Sequence, residues 1–227
     1  MCNERSEMIR AVIFDMDGIL IDSENLWQQG ERDLFAEFGI ELTDRMLART
    51  RGLRTAEMVS YWAGQFGIDP ALHGSLIQRY DTRMVELIKS SVPLMEGARE
   101  AVRFFRDRGL PVALASCSAE DHIDAAMNRY GMMKDFDVVV SAADGMPGKP
   151  HPEVYLRTAE KLGVPPESCL AIEDTFYGVI SARAARMRVV AMPDPGEYDQ
   201  PRFAAADMKI RSLAEINEAL LAEMEKL

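Results

Sequence analysis

Short apolar runs alternate along most of the chain with longer stretches whose apolar residues recur at helical spacing and stop at glycine. The first run, Ile9 to Phe14, is nearly unbroken, as expected of a parallel strand covered on both faces, and it stops at Asp15. Runs over Val112–Ala115, Val138–Val140, Leu170–Ile172 and Val189–Ala191 read the same way, and together the five predict one sheet. Between them, helices are expected over Ala98–Arg108, Ala119–Tyr130 and Pro152–Leu162. They end at Gly109, Gly131 and Gly163, where glycine supplies the left-handed conformation that terminates a helix. A further helix is expected from Thr175 to about Arg186, and Ser212-Leu-Ala-Glu215 has the spacing of a capping box that starts the last one. Right-handed crossovers then give an α/β fold, a Rossmann-like three-layer core around a parallel sheet.

One stretch breaks the rhythm. From about Glu24 to Ser90 the pattern is helical and shows no convincing strand, with helices expected over Glu24–Phe38, Thr55–Phe66 and Pro70–Lys89. Ser90-Ser-Val-Pro93 reads as a hinge. The expected organisation is a core built from residues 1–21 and 95–227, interrupted by a helical domain over 22–94.

Composition narrows the function classes. With 227 residues, 48% hydrophobic and 28% charged, the chain can bury a sizeable core, which argues against both disorder and a membrane protein. Lys and Arg number 26 against 37 Asp and Glu, a net charge of −11 that repels nucleic acid and anionic lipid over most of the surface. An anionic substrate must therefore meet a local reversal of sign. Cys2, Cys117 and Cys169 are odd in number and form no CxxC pair, so neither a disulfide framework nor a zinc site is indicated. The polar start Met1–Glu7 is unlike a signal peptide, and the protein is expected to be cytoplasmic, with a monomer as the default state.

Ligands of open α/β sheets bind beyond the carboxyl ends of the strands, so the residues after each run are the candidates for chemistry. The first run delivers Asp15-Met-Asp17-Gly18, the second Ser116-Cys117-Ser118, the fourth Glu173-Asp174, and Lys149 sits in the loop after the third. Carboxylates at Asp15, Asp17, Glu173 and Asp174 form a hard oxygen donor set suited to Mg²⁺ and a substrate phosphate. Lys149 supplies compensating charge and Ser116 a hydroxyl donor. A carboxylate nucleophile yields an aspartyl-phosphate, and a second carboxylate two residues on can protonate the leaving oxygen and later activate water. Asp15 and Asp17 fit those roles.

The ordered set Asp15-x-Asp17-Gly18, Ser116, Lys149 and Glu173-Asp174 resembles the haloacid dehalogenase superfamily of phosphatases over nearly the whole chain. The resemblance implies that Asp15 is the nucleophile and Asp17 the acid/base, and that Ser116 and Lys149 hold the phosphoryl group. It implies Mg²⁺ bound by Asp15, the Asp17 carbonyl and Asp174, with Glu173 as ligand or support. The insertion resembles a helical cap domain that closes over small phosphorylated metabolites. Finer similarity, in Phe14–Glu24, Trp27, Arg51-Gly-Leu-Arg54, Leu114–Ser118, Lys149–Tyr155 and Ala184–Met187, is to the 2-deoxyglucose-6-phosphatase and hexitol phosphatase group. The sister β-phosphoglucomutases carry histidine where this chain has Trp27, which argues against mutase activity. On the same resemblance Arg54 and Trp27 are expected to touch substrate; Cys117 and Thr175 depart from the pattern, where alanine and serine are common, and Cys117 is expected at the substrate site, where it could alter the shape of the phosphate pocket. A mutase-like phosphotransfer and a phosphoglycolate-type phosphatase remain the alternatives.

Plainer roles exist for several of these residues. Asp174 could cap the following helix, Glu173 could only support a ligand, and Arg54 could be a solvated helix-end cation. His151, after Pro150 at a helix start, is expected to be structural. The aromatic residues at helical spacing in the insertion, Trp27, Phe35, Phe38, Tyr61, Trp62 and Phe66, are expected mostly to form its core.

Overall fold

The computed structural model describes residues 8–143 and 145–227; Cys2 and the Met1–Glu7 segment lie outside them. The five expected strands are present as β1 (Ala11–Phe14), β2 (Val112–Ser116), β3 (Val138–Ser141), β4 (Cys169–Glu173) and β5 (Arg188–Ala191). A short sixth strand, β6 (Met208–Lys209), extends the sheet in the order β3-β2-β1-β4-β5-β6, all parallel. At two residues, β6 is too short to leave an apolar run in the sequence.

Alternation along the central strands sends large residues to one face and, Ile13 apart, small ones to the other. Val12, Phe14, Val112, Leu114, Leu170 and Ile172 join one buried cluster. Ala11, Ile13, Ala113, Ala115, Cys169 and Ala171 join another. Helices α5 (Ala98–Arg106), α6 (Glu120–Arg129) and α9 (Glu218–Met224) contribute to the first, and α7 (Glu153–Leu162) and α8 (Phe176–Ala184) to the second. The chain is thus a three-layer α/β fold of the expected class.

Between β1 and β2 lie α1 (Glu24–Ala36), α2 (Asp44–Leu47), α3 (Thr55–Phe66) and α4 (His73–Ser91). Trp62, Phe35, Met58 and Met84 are buried there, while Phe38 and Phe66 are partly exposed. Both crossings into this region run side by side: Ile21 bridges Leu94, Asp22 N–H donates to Pro93 O at 3.0 Å, and Met95 N–H donates to Leu20 O at 2.9 Å.

Three elements differ from expectation. The helix expected from Pro70 begins as a 3₁₀ turn, Pro70–Leu72, capped by Asp69, and α4 then runs through Ser90 and Ser91, which were expected to be hinge. Helix α2 is a single turn, too short for a periodic signal. The Ser212 capping box closes only a 3₁₀ turn, Leu213–Glu215, and α9 starts later, where the Asn217 side chain accepts from both Ala219 and Leu220 N–H groups. The downstream cap satisfies two orphan amides with one side chain, which sets the true start.

Candidate active site

The sheet reverses direction of growth at β1: β2 lies on one side and β4 on the other. That switch point opens a crevice at the carboxyl ends of the strands. Register fixes what meets there, because Phe14 pairs with both Leu114 and Ile172. Asp15 follows directly, with its N–H donating to Ile172 O at 3.0 Å. Ser116 ends β2 and Glu173 ends β4.

Lys149 ties the strand ends together. Its Nζ donates to Asp15 Oδ1 at 2.7 Å, Glu173 Oε1 at 2.5 Å and Ala115 O at 3.3 Å, and the side chain is buried. Glu173 is fully buried and used on both oxygens. Oε1 also accepts from Tyr155 Oη at 2.6 Å, and Oε2 accepts from the N–H groups of Asp174 at 3.1 Å and Thr175 at 3.3 Å. Gly178 makes this possible, since a Cβ there would come within 2.0 Å of the Glu173 carboxylate. The two carboxylates facing one lysine hold its ammonium well above the usual lysine range despite burial.

Asp15, Glu173 and Asp174 each place a carboxylate oxygen within 4.8 Å of the others. Burial pushes Asp15 up to about 8, with Glu173 and Asp17 adding repulsion and Lys149 opposing. Asp174 is likewise raised well above its ordinary value, by burial and by the charges of Glu173 and Asp15. Its Oδ1 is buried without a hydrogen-bond partner among the described residues. Gly18, at φ +75°, leaves the space that Asp174 Oδ2 occupies; a Cβ would sit 2.3 Å from it. An all-oxygen donor set with an orphaned oxygen and surplus negative charge fits a hard divalent cation such as Mg²⁺.

The Asp17 side chain stands apart from that triad. Ser23 Oγ donates to its Oδ1 at 2.5 Å, Trp27 Nε1 to Oδ1 at 2.8 Å and Ser118 Oγ to Oδ2 at 2.7 Å. Trp27 is held in turn by Tyr80, stacked at 6.1 Å, and by His122, edge-on at 5.2 Å. Ser116 is fully buried and its Oγ accepts from Ser118 N–H at 3.0 Å.

All nine sequence candidates come together except in part Glu173: Asp15, Asp17, Trp27, Arg54, Ser116, Cys117, Lys149 and Asp174 line one cavity, and Glu173 lies behind Lys149. Arg54 has more partners than a solvated helix end. Nη1 donates to Met146 O at 2.5 Å and Nη2 to Glu57 Oε1 at 2.6 Å, so the side chain reaches from α3 to the loop before Lys149. The Cys117 thiol is raised by burial and accepts weakly from Lys149 N–H at 3.5 Å; Cys117 and Cys169 are both free. His151 is structural: its Nδ1 accepts from Glu153 N–H at 3.2 Å and its carbonyl from Ser181 Oγ at 2.7 Å.

Sequence reasoning assigned no role to Tyr155, Ser23 or Ser118. A tyrosine on the buried side of α7 must find a partner for its hydroxyl, and that requirement was the available signal for Tyr155. Ser23 and Ser118 lie within the segments that the strand ends single out, Ser118 directly after the second run, but their contacts to Asp17 emerge only from the fold.

No helix among the described residues is long and apolar enough to cross a membrane. A family model described as haloacid dehalogenase-like hydrolase matches residues 12–192. Hexitol phosphatase B of Escherichia coli (strain K12) is 40% identical over 209 residues, spanning 92% of this chain and 94% of that protein. The crystal structure of CbbY from Rhodobacter sphaeroides in complex with phosphate superposes with a TM-score of 0.84 at 24% identity, covering 95% of this chain and all of that one. A β-phosphoglucomutase from Clostridium difficile gives a TM-score of 0.84 at 21% identity over 96% of this chain and 98% of that one. The strand-end carboxylates and Lys149 therefore sit in a chain that belongs to the haloacid dehalogenase-like hydrolases.

Proposed function

We propose that the protein is a Mg²⁺-dependent phosphomonoesterase that hydrolyses small sugar or sugar-alcohol phosphates through an aspartyl-phosphate on Asp15. The observation that carries this reading is the buried set of Asp15, Glu173 and Asp174 around Lys149, with Asp174 Oδ1 left unpaired. Such a set is costly to bury unless a cation and an anionic substrate complete it. Similarity to a protein named hexitol phosphatase B supports the substrate class.

In this reading Asp15 Oδ attacks phosphorus, and the P–O bond to the alcohol breaks as Asp17 gives that oxygen a proton. Asp17, now ionised, takes a proton from the water that attacks the phosphorylated Asp15, releasing phosphate and restoring the carboxylate. Ser23, Trp27 and Ser118 set where the Asp17 carboxylate lies. Lys149 and the Ser116 hydroxyl hold phosphoryl oxygens. Asp15, Asp174 and the Asp17 carbonyl would hold Mg²⁺, supported by Glu173, and the bound ion supplies positive charge that offsets the carboxylates and the phosphoryl group. The helices within 22–94 act as a cap over this floor, excluding water when a small substrate is enclosed.

Trp27 disfavours the phosphotransfer alternative. Its indole N–H donates to Asp17 and has no lone pair with which to accept a proton, unlike the histidine of the mutase pattern.

The test is phosphate release from sugar, hexitol and other polyol phosphates, with Mg²⁺ or EDTA, by wild type and Asp15→Asn. Wild-type release that requires Mg²⁺ and drops by at least about a thousandfold in Asp15→Asn is expected. Near-wild-type turnover by purified Asp15→Asn would sink the mechanism.

A further inference from the structure

The cavity wall opposite the strand ends carries charge that the chemistry above does not use. Glu24, Gln28 and Glu31 lie on one side of α1 and all line the cavity. Glu24 is committed: its Oε1 accepts from Gln28 Nε2 at 2.8 Å, and its Oε2 pairs with Arg51 Nε at 3.2 Å. Glu31 differs. It is 6% exposed, has no ion pair among the described residues, and accepts from Thr50 Oγ1 at 2.8 Å and Trp62 Nε1 at 3.0 Å, both on Oε2. Oε1 has no partner among the described residues and is not sealed in the interior, so it remains open to the cavity that Glu31 lines.

A carboxylate in this setting is poorly explained by stability alone. Burial raises its pKa above the usual glutamate value, with the Trp62 and Thr50 bonds opposing. A glutamine would join α1 to Trp62 and Thr50 as well, without a charge to bury. What glutamate adds is a strong acceptor, held by Thr50 and Trp62, beside the ligand space.

The cations of the wall point the same way. Arg51 pairs with Glu24 and approaches Asp194 at 3.9 Å, and Arg54 pairs with Glu57. Of their buried nitrogens only Arg54 Nε lacks a partner among the described residues, so a second anionic group on a substrate would meet an unpaired carboxylate while the charges of both wall arginines already face Glu24 and Glu57.

We infer that Glu31 is the specificity-determining residue of the cap wall, accepting hydrogen bonds from hydroxyl groups of a neutral polyhydroxy monophosphate and excluding substrates that carry a second anionic group. This deepens the proposed function and rests on it. Two hydroxyls of one substrate can share Oε1 or one can bridge to it, and a charge-assisted bond of this kind is stronger than a neutral one. Thr50 and Trp62 hold the acceptor in place, so little ordering is required when substrate binds.

The experiment measures kcat and KM for wild type and Glu31→Gln on a hexitol phosphate, its single-deoxy analogues, phosphoglycolate and p-nitrophenyl phosphate, with thermal melts of both proteins. Glu31→Gln is expected to lose about ten- to a hundredfold in kcat/KM on the hexitol phosphate, mainly through KM. On p-nitrophenyl phosphate, which has no hydroxyls to recognise, it should stay within about twofold, since the reacting groups are untouched. The preference for hexitol phosphate over phosphoglycolate should shrink by a similar factor. At least one deoxy analogue should be poor for wild type and lose that disadvantage in the variant, because residue and hydroxyl then form one coupled pair.

Equal losses on hexitol phosphate and p-nitrophenyl phosphate, or no loss on either, overturn the assignment. If the variant melts out, the wild-type deoxy series still decides: no analogue worse than about threefold means no hydroxyl is read here, and the inference fails. Failure of the broader reading looks different, because wild type would then release no phosphate from any of the four substrate types.

Discussion

The floor and the wall of the cavity solve opposite problems. At the floor, Lys149, Glu173 and Tyr155 are buried and bonded to one another, and Glu173 accepts on both oxygens. On the wall, Glu24, Arg51, Arg54 and Glu57 settle their charges locally, near solvent. The floor is assembled from strands far apart in sequence whose register brings them together, whereas the wall is assembled from helix faces that can vary without disturbing the sheet. On the proposed reading, chemistry is thus fixed by backbone connectivity and selectivity by side chains on the inserted helices. A change at the floor should cost both activity and stability; a change on the wall should affect substrate choice or stability singly.

The sharpest way to break that contrast is at Lys149. Lys149→Met keeps the length of the stem but removes the ammonium that faces Asp15 and Glu173. Leaving buried carboxylates uncompensated costs about 3–5 kcal/mol in other proteins, and loss of a charge stabilising the phosphoryl group costs about a hundred- to a thousandfold in rate. Both a lowered melting temperature and loss of phosphate release are expected from the one substitution. A variant that lost activity but melted like wild type would show that the floor is not the integrated unit described.

Metal and pH sharpen the same point with a smaller effect. Asp15, pushed up to about 8 by burial, and Asp174, raised well above its ordinary value by burial, bind protons more tightly folded than unfolded. The native state therefore holds more protons than the unfolded one above about pH 4, and the metal-free protein should lose stability as pH rises from about 4 towards about 8. On the proposed reading Mg²⁺ binds the ionised carboxylates, so its stabilisation should grow over the same range. Melting temperatures in EDTA and in Mg²⁺ should diverge as pH rises, by about 2–4 °C for each kcal/mol. Parallel curves would argue that the carboxyl cluster does not bind the ion.

The floor was far more legible in the sequence than the wall, and the reason is physical. Parallel strands buried on both faces leave unbroken apolar runs, and the residues that end them must lie at one edge of the sheet. Asp15, Ser116, Glu173 and Asp174 could therefore be placed together before any coordinates. Lys149 was placed from its loop, but its bonds to Asp15 and Glu173 depend on a fold-dependent approach of that loop. The wall resisted because a helical stripe says which face is buried but not what it faces. Glu31 reads as one more charge on an amphipathic helix until Thr50 and Trp62 are seen to close on it. The capping box at Ser212 shows a similar limit: local chemistry was read correctly, but Asn217 five residues on starts the helix.

The smallest effect tests the freedom of the inserted region. Gly178 in α8 and Gly64 in α3 are both helical glycines, yet a Cβ at Gly178 would reach the Glu173 carboxylate, whereas nothing lies within 4 Å of one at Gly64. Gly64 is exposed and lies in the last turn of α3, two residues before its end. Alanine there meets no neighbour and removes part of the backbone freedom that glycine retains in the unfolded chain, a gain of about 0.5–1 kcal/mol. Gly64→Ala should raise the melting temperature by about 1–4 °C and leave kcat and KM unchanged on every substrate, because that face of α3 points away from the cavity. Stabilisation with unaltered selectivity would confirm that the insertion's outer surface is independent of its wall. A shift in KM would show instead that the position or rigidity of α3 itself takes part in substrate choice, joining the two faces of the insertion into one working unit.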